Sequence, residues 1–112
     1  MILIKDRKIY DTENLGELIC AHPGDGRYSY DYENTSIYRK TLGDLAYINN
    51  AFELIYKVDW FMVTSTNRII KRFETILNVQ KISDESAMQF LEYYKEVDLL
   101  LKYFKPKLIK VT

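Results

Sequence analysis

The chain has a single cysteine, Cys20, and a single histidine, His22, among 112 residues. One thiol excludes an intramolecular disulfide, so a reducing compartment is expected. No stretch approaches the roughly 20 apolar residues that span a bilayer. The opening residues, Met1 to Arg7, have no long apolar run behind a basic start and do not read as a signal peptide. A cytoplasmic location is therefore expected, with no membrane association. Excess charge of one sign is also missing, because sixteen basic residues balance sixteen acidic ones. There is no internal repeat, linker or low-complexity segment.

What is present is the material of one globular domain over residues 1–112. Apolar residues make up 47% of the chain and charged residues 29%, an ordinary balance for a soluble fold. A chain of this size buries roughly two-thirds of the surface its unfolded form exposes, so it folds without staples. The charge is unevenly spread. Between Asp11 and Glu33, the acids Asp11, Glu13, Glu17, Asp25, Asp31 and Glu33 face only Arg27. Such a cluster can steer a basic partner, or it can be a solvated loop face.

Periodicity predicts an antiparallel sheet followed by helix. Met1 to Lys5 and Lys8 to Tyr10 read as a hairpin turning at Asp6-Arg7. Leu15, Leu18 and Ile19 fit a strand or a helical turn, and Gly16 weakens the helical option. His22 to Gly26 reads as a loop, with proline and two glycines close together. Tyr28, Tyr30 and Tyr32 alternate at the strand period and would share a face. Ile37 to Lys40 and Leu45 to Ile48 suggest a second hairpin turning near Gly43 and closed by Asn49-Asn50. Phe52 to Lys57 is apolar and is assigned to no element, and Asp59 to Val63 suggests a strand. Ile69, Ile70, Phe73, Ile76 and Leu77 form a helical stripe capped at Ser65 or Thr66, with a hairpin through Thr66-Asn67 as the alternative. Ser83 can cap a helix with Asp84 and Glu85 in its first turn. Its apolar stripe would be Ala87, Phe90, Leu91, Tyr94, Val97 and Leu101, and Pro106 ends it by Lys105. Leu108 to Val111 reads as a last short strand. The expected fold is α+β: a small antiparallel sheet of hairpins packed by one or two C-terminal helices.

Catalytic signatures are sparse. Cys20 and His22 would share a strand face, which permits a Cys–His pair, but no glycine-rich elbow or oxyanion loop accompanies them. The bland reading is a half-buried cysteine beside a loop histidine. A zinc site would need Asp25 or Asp31 to complete one ligand pair, and neither a metal nor another cofactor is expected. Gly24-Asp25-Gly26 lacks the remainder of a phosphate-binding loop. Basic residues gather at Arg68, Lys71 and Arg72 and again at Lys102, Lys105, Lys107 and Lys110. At zero net charge these read as solvated faces, so direct nucleic-acid binding is not expected. The tyrosines offer more, since ten in this length is many. Asp25, Tyr28, Tyr30, Asp31, Tyr32 and Glu33 form an acidic aromatic strip suited to a protein contact, or else a sheet face packed by helices. An exposed strand edge there could also pair with its twin in a homodimer.

Several short motifs resemble a group of small phage and plasmid proteins. They are Lys8-Ile9-Tyr10-Asp11-Thr12-Glu13 after an opening strand, the pair Leu18-Ile19, and Tyr30-Asp31-Tyr32-Glu33. Ile37-Tyr38-Arg39-Lys40 before Gly43, and Ile82-Ser83-Asp84-Glu85, are also similar. The match covers about 60 residues in pieces. Leu15 stands where the group has alanine, and Asn49-Asn50-Ala51 where it has a Gly-Glu-Gly segment. Some accessory proteins of this kind are anti-CRISPR inhibitors of type II systems, which bind the RNA-guided nuclease and block its loading, DNA binding or cleavage. The resemblance thus implies a non-catalytic inhibitor that binds a defence nuclease, with the acidic tyrosine strip imitating DNA phosphates on a basic channel. The alternative is a small nucleic-acid-binding regulator using the basic C-terminal half.

Overall fold

A computed structural model describes residues 1–24, 31–68 and 74–112; for 31–32, 67–68 and 74–76 it describes the backbone alone. Two antiparallel sheets precede two helices, so the α+β fold read from the sequence is the one observed. Strands β1 (Ile2–Lys5) and β2 (Lys8–Asp11) form the first hairpin. Asp6 and Arg7 both have positive φ, as a tight two-residue turn requires. Strands β3 (Glu17–Pro23), β4 (Asp31–Ile48), β5 (Ala51–Arg68) and β6 (Glu74–Ile82) form a four-stranded meander in chain order.

The sheet is covered on both sides near its centre. Cross-strand partners share a face, so Cys20, Ile37 and Met62 point to one side, with Trp60 and its neighbour Ile82. Helices α1 (Asp84–Tyr93) and α2 (Val97–Phe104) cover that side. There Ile37, Trp60, Ala87, Leu91 and Phe104 are buried together. Trp60 stacks on Phe104 at 5.1 Å between ring centroids and meets Tyr103 edge-on at 5.7 Å. On the opposite side the first hairpin lies against the sheet. Its Tyr10 lines one cleft with Leu15, Lys40 and Phe61, and another with Leu77 and Val79. Lys5 donates to the Asn78 side chain at 3.3 Å. Gly16 is required where the chain enters β3. Its φ is +87°, and a Cβ there would stand 2.4 Å from the Arg39 carbonyl oxygen.

Several expected boundaries move. His22 and Pro23 belong to β3 rather than to a loop. The hairpin turn expected near Gly43 is absent, and β4 runs straight through that glycine. The reversal falls at Asn49-Asn50, where both residues have positive φ and asparagine tolerates it well. Phe52 to Lys57 and Asp59 to Val63 are parts of one strand, β5. Of the helix expected from Ile69 to Leu77, residues 74–77 lie instead in β6. Antiparallel pairing of β5 with β6 matches the hairpin alternative. Thr66 and Asn67, however, lie within β5, opposite Ile76 and Thr75, and not at a turn. Ile69, Ile70 and Phe73 are outside the described residues. Long-range pairing, with Val79 buried opposite Val63, outweighs a local helical pattern built from β-branched residues.

The one helix expected between Ser83 and Lys105 is divided into two. Ser83 caps α1 as predicted, its hydroxyl accepting from the Ser86 N–H at 3.1 Å. The helix then stops at Tyr94. Lys95 turns left-handed at φ +56°, its N–H donates to the Glu92 carbonyl, and the Glu96 N–H donates to the Leu91 carbonyl. This is a Schellman stop with lysine in the position that glycine usually fills. The break shifts the buried phase. Val97 and Leu101 become exposed, while Leu99, Leu100, Tyr103 and Phe104 face the core. Beyond a 3₁₀ turn at Lys105–Lys107, Leu108 to Thr112 form no strand.

Replacing Lys95 by glycine removes the left-handed penalty on a residue with a Cβ. Lys95→Gly is expected to raise unfolding free energy by about 1 kcal/mol, measured by urea denaturation. A loss of stability would mean that the helix does not stop there.

Candidate functional site

The Cys–His pair is held inside the fold. A bulge between Leu18 and Cys20 resets the register, so that Cys20 sits opposite Ile37 and His22 opposite Thr35 on the helix-covered side. His22 Nε2 lies 2.8 Å from Glu96 Oε1, and the ring stacks on Tyr94 at 4.0 Å and meets Phe90 edge-on at 5.9 Å. Glu96 is the residue that follows the Schellman stop, so the imidazole ties β3 to the corner between the helices. Burial first, and the Glu96 carboxylate second, push the Cys20 thiol up to about 11. A thiol so held carries little thiolate near neutrality and is a poor nucleophile. Among the described residues, no three of His, Cys, Asp and Glu cluster as a metal would need.

The acidic tyrosine strip is described only in part. Asp25, Tyr28 and Tyr30 are outside the described residues. Asp31, Tyr32 and Glu33 open β4 and pair with Arg68, Asn67 and Thr66, and Glu33 is exposed. The other acids of the sequence cluster are elsewhere. Glu17 pairs with Arg39 at one end of β3, whereas Pro23 pairs with Asn34 at the other. Glu17 therefore lies at the opposite end of β3 from Glu33, and Asp11 lines a cleft with Lys40, beside Arg39. Of the basic residues, Lys107 pairs with Asp84 at 3.4 Å, and Lys102 lies over the Tyr103 ring at 5.1 Å. Lys71 and Arg72 are outside the described residues.

Sequence reading missed the most prominent surface. β3 pairs with β4 only as far as Arg39, and β6 pairs with β5 only from Trp60 onward. Beyond that line β4 and β5 continue as a two-stranded arm. Its eight pairs run from Thr41–Val58 to Ile48–Ala51, or roughly 27 Å at the antiparallel rise. On the helix side the pairs are Thr41–Val58, Gly43–Tyr56, Leu45–Leu54 and Tyr47–Phe52, with no charge among them. The other side mixes Asp44, Glu53 and Lys57 with Leu42 and Ile55. Tyr47 and Phe52 meet edge-on at 5.1 Å near the tip. The signal lay in Asn49-Asn50, read as the end of a hairpin instead of its centre. Where arm meets body, a cavity of about 180 Å³ is lined by Arg39, Val58, Trp60, Tyr103 and Lys107 among others. Arg39 stands over the Tyr103 ring at 4.8 Å. No helix among the described residues is long and apolar enough to cross a membrane.

Against protein-family models, curated proteins and solved structures, the chain matches none.

Alkylation reports on Cys20. At pH 8 the folded protein should react with iodoacetamide far more slowly than the urea-unfolded chain, because the folded thiol is raised to about 11 from 9.0. The folded thiol holds its proton more tightly than the unfolded one. Its contribution to stability is therefore complete below pH 9.0 and fades as the pH rises through about 11. Equal rates in the two states would contradict the burial. Removing the imidazole in His22→Ala should cost about 1 kcal/mol for the lost hydrogen bond, with the stacking on Tyr94 lost as well. Equilibrium unfolding measures it, and an unchanged midpoint would show that the corner does not need His22.

Proposed function

We propose that the protein is a non-catalytic, protein-binding inhibitor that acts in the cytoplasm on the RNA-guided nuclease of a type II CRISPR system, by stoichiometric contact. The observation that carries protein binding is the arm: eight strand pairs whose helix-side face carries no charge and stands exposed from Tyr56 out to the tip. Continuous apolar surface of this kind marks protein contacts, whereas phosphate recognition calls for basic side chains. The class of partner follows from the resemblance carried by Lys8 to Glu13 and by the later motifs. The acidic segment from Asp25 to Glu33 supplies charge that would suit a basic nucleic-acid channel.

Calorimetric titration tests the reading, with type II nucleases from several species used with and without guide RNA. Binding at micromolar affinity or tighter is expected for at least one nuclease, together with loss of DNA binding or cleavage. Replacing Asp25, Asp31 and Glu33 together by their amides should weaken that binding and flatten its salt dependence. Absence of binding at micromolar protein across the set would overturn the proposal.

A further inference from the structure

We infer that the helix-side face of the arm is covered by the same face of a second copy of this chain, the two related by a two-fold axis. The inference rests on reading the arm as a contact surface, and it names that surface's first occupant.

Three observations support a second copy. The first is area. Leu45, Tyr47, Phe52, Leu54 and Tyr56 share one face and are each between 52% and 73% exposed. At ordinary side-chain sizes they present about 700 Å², close to the ~800 Å² that each partner contributes to a stable interface. The second is charge. A two-fold contact sets the face against itself, residue i on residue j and j on i, so a charge near the axis would meet its like and a charge elsewhere would be buried against apolar surface. This face carries none, whereas Asp44, Glu53 and Lys57 all lie on the reverse side. The third is continuity. The face extends the covered surface of the body, from Ile37 and Trp60 under the helices to Val58 and then outward. Leu54 and Tyr56 approach to within 4 Å of where a Gly43 Cβ would stand, so the apolar row is unbroken across the glycine. A two-stranded ribbon is marginal in water by itself, and a matching ribbon supplies the cover that three or more strands or a helix would otherwise give.

In a two-fold arrangement with the arms antiparallel, the tip pair Tyr47–Phe52 of one copy lies over the inner pair Thr41–Val58 of the other. The leucine pair Leu45–Leu54 then falls near the axis. A charge at Leu54 should therefore break the contact, and a charge at Ile55, on the reverse side, should not.

Sedimentation analysis of the full chain across the micromolar range tests the inference. The expected mass is twice 13.4 kDa, falling to that of one chain for Leu54→Lys and staying doubled for Ile55→Lys. Circular dichroism and Trp60 emission should be the same in all three, because the arm's outer pairs do not touch the core. Mixing Leu54→Lys with Leu54→Glu should restore the double mass by bringing opposite charges together at the axis. A wild-type chain of single mass throughout the range would overturn the inference, as would a Leu54→Lys chain that remains doubled. The two readings separate cleanly. A single-mass chain whose nuclease binding is abolished by Leu54→Lys retains the arm as a contact surface and removes the second copy. A double-mass chain that binds no nuclease retains the second copy and removes the proposed inhibition.

Discussion

The indole of Trp60 lies in β5 beneath α2, stacked on Phe104 and edged by Tyr103, with the Arg39 guanidinium 5.8 Å above it. This contact sets the limit of the covered sheet. From Trp60 inward, every described pair of β4 and β5 has a neighbouring strand on at least one edge. Outward from Trp60, β4 and β5 pair only with each other. The strands are 18 residues long while β3 has seven and β6 nine. The arm is the geometric remainder of that mismatch. Two short helices cover a small area, and the apolar alternation of β4 and β5 continues well past it.

Much of this was legible in the residues. Hairpin β1–β2, the Ser83 cap, the stop before Pro106 and the α+β class follow from local chemistry that tertiary packing did not overrule. The failures have specific physical causes. Gly43 reads as a turn, yet a glycine within a strand weakens it without ending it, and the left-handed pair at Asn49-Asn50 takes the reversal instead. Lys95 sits where a glycine would have announced a helix stop, so a continuous helical stripe was read through it, and Val97 and Leu101 were placed in the core when both are exposed. The helix expected at Ile69 to Leu77 rested on spacing alone, and that spacing could not register the neighbouring β5 with which β6 pairs. As for the candidate contact surface, the chemistry of the acidic tyrosine strip was visible in sequence. The arm was not, because its apolar face appears only when residues of two strands are interleaved across a turn.

Cys20 and His22 illustrate how a residue pair that suggests catalysis can serve architecture. The imidazole bridges an edge strand and the corner between two helices, and the thiol lies in a setting that keeps its proton. Both residues lie on the side of β3 that the bulge at Ile19 turns toward the helices. Their chemistry is directed inward, and the surface left for partners is the sheet that extends beyond them.

The Asn49-Asn50 turn has a kinetic consequence. A hairpin grows from its turn, and each new pair closes onto the one before it, so the loop to be closed is short at every step. The pairs are closest in sequence at the tip, Ile48–Ala51, and their separation grows steadily inward to Arg39–Trp60. Hairpins form in roughly 1–10 μs, and closing this one sets Ile37 and Trp60 on the face where the helices pack. The ribbon thus joins, through short loop closures alone, two residues of the core that lie 23 positions apart in the chain.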